Sequence, residues 1–473
     1  MGKDVYKWTT IDRVVNTLIT TGGNIALARL LTPYDFGLLA MVAIFSAIAY
    51  NISSCGMSDG IIKKLNPTDR DYSTLFTFNT VSGIIFSVLF IICARPVAEF
   101  FSEDKLVGIM WAIGICFIFQ VMWYIQETRL RKELQMKKIA IVRICASASA
   151  VGLGIYLAAT GYSYWGLVSC RIFLSFFLFV YYVIATRWIP RLRFYHQSFL
   201  ELFGFGFNLF LSYIAVQISV NINSFVLGRY SSAESGLFSQ AQKMEDTPFK
   251  MVDNILNWSF FAILSSEADT NLRRQMAKNM MATITMLTVL VGMILMILAS
   301  PGFKLLFGEK WDDAIPIFRI LIIFGIGSTL KYFFQTILKS HTRTNLIRNL
   351  TFLEVGLQLL LLGIVYHWGM LWIAWSQVAG CIIVLLLYAS FFCSLEKMSF
   401  RELLVTAFSQ LAVPIIAFVI TGAGYYYWNN VLDPWLNCLV SITIFFGITI
   451  AIFEYRPVPL YTEIKTRLRN FLR

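Results

Sequence analysis

Six polar or ionisable residues recur along one apolar stretch of this chain. Ser239, Lys243, Asp246, Lys250, Asp253 and Asn257 follow one another at steps of four, three, four, three and four, the spacing that sets side chains on one face of a helix. A charge at the bilayer centre costs about 2.5 to 3.5 kcal/mol on insertion scales, so four together cannot face lipid. Two chemistries fit. Lys243 with Asp246, Asp246 with Lys250 and Lys250 with Asp253 are i to i+3 or i+4 partners that neutralise one another in a packed ladder. Alternatively, the face lines a hydrated cleft in which a paired lysine exchanges its partner for a substrate anion. The cleft is the expectation carried forward, because ionisable residues within membrane spans mark function. Pro248 interrupts the stripe, lacks an N–H and predicts a kink there.

Other polar groups lie within apolar stretches. Asn24 shares a face with Arg13, Thr17 and Thr20 beside Gly22-Gly23, and Asn208, Ser212, Gln217, Ser219 and Asn223 mark a second polar face. Each serves equally well as a helix contact or a substrate contact. Arg171, Lys331 and Glu354 are further charges in apolar surroundings; Lys331 can snorkel, whereas Arg171 and Glu354 lie too deep to do so easily. The three histidines are far apart, the eight cysteines show no CxxC pair, and phosphate-loop, dinucleotide and Gly-x-Ser-x-Gly patterns are missing. No catalytic residue, metal site or cofactor is expected, and the chain does not read as an enzyme.

The elements that hold these residues follow from composition. With 58% hydrophobic and 14% charged residues over 473 positions, no water-soluble fold hides the apolar surface. Continuous apolar runs without alternation require helices and exclude a β-barrel. The fold class is an all-α polytopic membrane protein of about 14 transmembrane helices. They are expected at 9–30, 36–57, 73–98, 106–127, 139–159, 162–186, 200–227, 235–263, 277–299, 314–338, 345–366, 369–393, 404–427 and 434–454. The first span lacks a cleavage pattern, so no removable signal peptide is expected.

Charge orients the spans. With the N-terminus in the cytoplasm, 27 Lys and Arg fall on inner segments, including Arg129, Arg131, Lys132, Lys137, Lys138 and Arg143, against six outside. Both termini are expected to be cytoplasmic. The net charge of +12 belongs to these anchors, which meet membrane lipid rather than nucleic acid.

Two corners look alike. Leu27-Ala28-Arg29-Leu30 through Asp35-Phe36-Gly37-Leu38 reappears about 200 residues on as Leu227-Gly228-Arg229-Tyr230 through Glu234-Ser235-Gly236-Leu237. The expected organisation is therefore an N-terminal lobe of six helices at 1–198 and a C-terminal lobe at 199–395. The lobes are parallel repeats related by a pseudo-twofold axis along the membrane normal. Helices 13 and 14 occupy 396–455, and 456–473 is a basic tail lying on the inner leaflet.

Ala28-Arg29-Leu30-Leu31-Thr32-Pro33-Tyr34-Asp35-Phe36-Gly37-Leu38, Gly236-Leu237-Phe238-Ser239-Gln240-Ala241-Gln242-Lys243 and Leu306-Phe307-Gly308-Glu309-Lys310-Trp311 resemble the prokaryotic polysaccharide transporters. These are the Wzx-type flippases of the multidrug/oligosaccharidyl-lipid/polysaccharide exporter superfamily, and the likeness extends over essentially the whole chain. The resemblance implies transport of undecaprenyl-diphosphate-linked oligosaccharide repeat units from the cytoplasmic to the outer leaflet of the bacterial inner membrane. The product would be O-antigen, capsule or exopolysaccharide, made alongside a polymerase and other assembly proteins. A diphosphate needs cations in a low-dielectric cleft. Lys243, Lys250 and Arg171 are the expected anion ligands, with Asn24, Asn208 and Gln217 for sugar hydroxyls. Asp246, Asp253 and Glu354 are candidates for ion coupling and are not carried over from the family. Two alternatives remain. A multidrug exporter of the same superfamily commonly uses acids deep in the first lobe, where the central parts of spans 1 to 6 have none. A membrane enzyme on lipid-linked sugars needs a large outer loop, and every outer connection here is short.

Overall fold

The computed structural model describes residues 2–54, 56–188, 190–255, 270–341, 343–396, 398–409, 411–428 and 434–455. The helices are α1 Gly2–Leu30, α2 Pro33–Ser54, α3 Met57–Lys63, α4 Asp69–Phe101, α5 Lys105–Lys132, α6 Met136–Leu157, α7 Trp165–Thr186, α8 His196–Gly228 and α9 Ser232–Ile255. They continue as α10 Thr270–Phe307, α11 Ala314–Ser340, α12 Thr344–Val365, α13 Met370–Leu395, α14 Phe400–Ser409, α15 Ala412–Trp428 and α16 Pro434–Tyr455. No strand forms among the described residues. The chain is an all-α polytopic membrane protein: nine of these helices are long and apolar enough to cross a bilayer, and α8, α15 and α16 contribute shorter apolar stretches.

Among the described residues, fourteen helices of 17 residues or more stand where fourteen spans were expected. α3 was not foreseen. The thirteenth span, expected at 404–427, is divided into α14 and α15. A helix running unbroken through Ser409 would bury Pro414 in its interior, where the ring meets the carbonyl four residues back; starting afresh at Ala412 leaves Pro414 in a first turn, where no N–H is needed. Arg143, counted with the inner-segment cations although the expected span begins at 139, lies inside α6. Pro248 lies within α9. Asn257, the far end of the eighth span and the tail from Arg456 lie outside the described residues.

The chain forms two compact units, 1–239 and 240–473. In the first, α4 packs on α5, α6 on α1 and α7, α5 on α7, and α8 on α2 and α3. In the second, α11 packs on α10 and α13, and Phe333, Phe334, Tyr388 and Phe392 fill its core. There α15 and α16 rest on α10 around Ile297, Ala417, Cys438 and Phe445.

The two similar corners meet inside the first unit. At one, the Thr32 N–H and hydroxyl donate to Asp35 Oδ2 at 2.9 and 2.7 Å. At the other, the Glu234 N–H donates to Ser231 Oγ at 3.3 Å. Both are Ser/Thr-x-x-acid starts that satisfy orphan N–H groups. Each corner then presents a glycine to the other: a Cβ on Gly37 would stand 1.6 Å from the Ser232 carbonyl oxygen, and one on Gly236 would stand 1.9 Å from that of Pro33. Pro33 and Ser232 each precede their glycine by four residues, so the contact is reciprocal about a local twofold. Glu103 fastens it, accepting from the Tyr34 hydroxyl at 2.7 Å and the Ser232 hydroxyl at 2.6 Å. Gly37→Ala or Gly236→Ala is expected to cost at least about 2 kcal/mol, since backbone rather than a side chain must move. Gly22→Ala, with nothing within 4 Å, should leave thermal unfolding in detergent unchanged; equal melting of all three variants would refute the close contact.

Candidate functional site

A cavity of about 750 Å³ lies within the first unit, walled by α2, α5, α7, α8 and the start of α3. Its helical registers are regular. Cys116, Gln120 and Tyr124 lie on one face of α5, and Tyr213, Gln217 and Val220 on one face of α8. A space of this size suits a sizeable ligand.

Arg171 of α7 opens into the cavity beside Cys116 and is exposed to it. Among the described residues its guanidinium makes no ion pair and no hydrogen bond. The other walls are amphipathic. Tyr50 and Tyr124 stand edge to face with ring centroids 5.9 Å apart, and Asn221 Nδ2 donates to the Gln217 carbonyl at 2.9 Å. Asp59 of α3 also lines the space, and it too has no side-chain partner among the described residues. Burial raises the Asp59 carboxyl above the ordinary carboxylate range, and the Arg131 guanidinium opposes that rise.

Arg131 joins the cavity to a buried ionic cluster. Glu127, 2% exposed, takes Arg131 Nη2 at 2.5 Å and Arg143 through Nη2 at 2.6 Å and Nε at 3.1 Å. It also accepts from the Tyr182 hydroxyl at 2.9 Å. Arg143 reaches on to Asp12 of α1 at 3.2 Å. One carboxylate therefore ties α1, α5, α6 and α7 together. Counting cations by loop could not reveal this, because Glu127 lies within four residues of Arg129 and Arg131 and reads as part of a solvated span end.

The expected site residues fall in different places. Arg171 and Gln217 share the cavity. Asn24 lies on α1 with its buried Nδ2 unpartnered, away from the cavity lining. The side chain of Asn208 lies outside the described residues. In the second unit, Lys243 and Lys250 are exposed on α9, and Lys250 pairs with Asp246 one turn earlier. Asp253 is half-buried. Glu354 of α12 pairs with Lys331 of α11, so these two deep charges neutralise each other. Glu245, off the charged stripe, is buried on the packed face of α9; Gly325 makes room for it, since a Cβ there would come within 2.3 Å of Glu245 Oε1. Asp59, Glu127 and Glu245 escaped the sequence reading, and only the Gly56-Met57-Ser58-Asp59-Gly60 run hinted at a break near Asp59.

Comparison with known families decides the lineage. The family model described as polysaccharide biosynthesis protein matches residues 26–316. The chain belongs to this family. Among curated relatives, the family member is 23% identical over 328 residues to the teichuronic acid biosynthesis protein TuaB of Bacillus subtilis, covering 68% of this chain and 67% of the relative. It is 23% identical over 331 residues to the lipopolysaccharide biosynthesis protein WzxC of Escherichia coli, covering 68% and 66%. The alignments thus span about two thirds of those relatives. Among solved structures, the inward closed conformation of the lipid II flippase MurJ superposes with a TM-score of 0.71 at 14% identity, covering 95% of this chain and 99% of that one. The bent form of the MATE transporter VcmN of Vibrio cholerae gives 0.50 at 10% identity, covering 84% and 97%. These likenesses give this polysaccharide biosynthesis family member the fold of that transporter superfamily.

Proposed function

We propose that the protein is a flippase that carries undecaprenyl-diphosphate-linked oligosaccharide repeat units from the cytoplasmic to the outer leaflet of the bacterial inner membrane, for O-antigen, capsule or exopolysaccharide assembly. One observation carries the reading: an unpartnered guanidinium opens into a polar cavity inside a membrane bundle. A charge kept there without a counter-ion costs several kcal/mol unless it lines water or meets a ligand. A diphosphate supplies the missing charge and accepts the guanidinium's paired N–H groups. The tyrosines and amides offer ring faces and hydrogen bonds to sugars. The names of relatives in teichuronic acid and lipopolysaccharide synthesis, and of a lipid II flippase of like fold, support the same cargo.

In this reading the lobes 1–198 and 199–395 alternate access, 396–455 are accessory helices, both termini are cytoplasmic, and the tail 456–473 rests on the inner leaflet. Lys243 and Lys250 would guide the anion, and Asp246, Asp253 and Glu354 would couple ions. A free cation in the cavity repels organic cations, which disfavours drug export. The test is a leaflet assay in proteoliposomes. Lipid-linked oligosaccharide is expected to become accessible to an external glycosidase or lectin only with the protein present, and protein-independent accessibility would refute transport.

A further inference from the structure

We propose that the cavity holds its cargo in one orientation, with the diphosphate at Arg171 and the hydroxyl or amino groups of the glycan at Asp59, which makes Asp59 the residue that selects the sugar. The inference rests on the cargo assigned above. It starts from two unpartnered groups of opposite charge in one space. Arg171 stands beside Cys116 of α5, while Asp59 faces Tyr124 and Arg131 of the same helix and Tyr213 of α8. Cys116 and Tyr124 are eight residues apart, about 12 Å along the helix axis. The guanidinium and the carboxylate therefore mark different ends of the cavity.

A lone carboxylate is a liability in a diphosphate site. At an effective dielectric of 20 and about 12 Å, it weakens binding about tenfold for each negative charge on the ligand. Arg131 does not remove that penalty, because Glu127 already engages it at 2.5 Å. Asp71 of α4 is likewise occupied, by Lys64 and the Thr68 cap. The penalty is offset when the rest of the cargo donates hydrogen bonds to Asp59, since bonds to a charged acceptor are worth roughly tenfold to a hundredfold. Tyr50, Tyr124 and Tyr213 surround this end and suit sugar ring faces, as aromatic rings with polar tips do.

The ratio of the affinities for a sugar-bearing and a sugar-free lipid makes the test. Purified protein is titrated at pH 8 with undecaprenyl diphosphate and separately with the lipid-linked repeat unit extracted from producing cells. Asp59→Ala is expected to bind the sugar-free lipid tighter, by about tenfold for each negative charge, and the sugar-bearing lipid is expected to fall short of that gain by about tenfold to a hundredfold. Asp59→Asn should tighten the sugar-free lipid equally and leave a smaller shortfall on the other. Thermal melting in detergent confirms that both variants fold. If both lipids shift by the same factor, or neither shifts, Asp59 is not the glycan end. Arg171→Ala should weaken both lipids; if it weakens neither, the cargo assignment itself fails, whatever Asp59 does.

Discussion

Arg171→Glu is expected to abolish transport in the leaflet assay and to lower affinity for undecaprenyl diphosphate by at least a hundredfold. The argument is additive. Loss of hydrogen bonds from a charged donor costs about 1.5 to 3 kcal/mol, and an introduced carboxylate repels each ligand charge by several kcal/mol at contact distance and an effective dielectric of 20. Arg171→Ala should lose only the first contribution. Arg171→Lys should recover part of it, because an ammonium restores the charge without the planar fork that grips two phosphate oxygens. The ranking Arg, Lys, Ala, Glu is the signature of anion binding. A packing role would instead rank the variants by volume, with Lys and Glu alike. Salt should weaken wild-type binding less than a surface ion pair, because the cavity screens poorly.

The second large effect concerns stability. Glu127→Ala is expected to cost about 3 kcal/mol, since it leaves Arg143 with Asp12 alone and frees the Tyr182 hydroxyl. Glu127→Gln keeps the volume but leaves a neutral partner for two arginines, so it should fall between Ala and wild type. The double variant Glu127→Leu with Arg143→Met removes both ends of the pair and is expected to melt above Glu127→Ala, as paired burial predicts. Thermal unfolding in detergent reads all three. A Glu127→Ala protein that melts with the wild type would mean that the cluster is hydrated and exposed. Transport should also fall in Glu127→Ala, because Arg131 then swings free beside Asp59 in the cavity.

Legibility differed by level. The placing of the long helices followed from hydropathy because a backbone in hydrocarbon has one economical conformation, and among the described residues fourteen helices stand where apolar runs of about 20 residues placed them. The likeness of the two corners was readable in Asp35 and Gly37 against Glu234 and Gly236, since caps and close contacts restrict residue type locally. The site was legible only in part. Arg171 announced itself as an arginine within an apolar run, and Gln217 as an amide within another. The eighth-span stripe pointed to charged residues whose described members lie on α9 of the second unit, outside the cavity lining.

The sequence by itself determined the solvent of this protein, its helical class, the placing of its long helices and the presence of charges that lipid cannot tolerate. All of these depend on composition and on spacing within one segment. Tertiary structure alone decided which charges are neutralised and which stay available. Glu354 found Lys331, and Glu127 found Arg131, Arg143 and Tyr182. Among the described residues, Arg171 and Asp59 found no partner in the shared space. Pairing depends on which helices pack side by side, and helical periodicity gives the face of each helix without naming its neighbour.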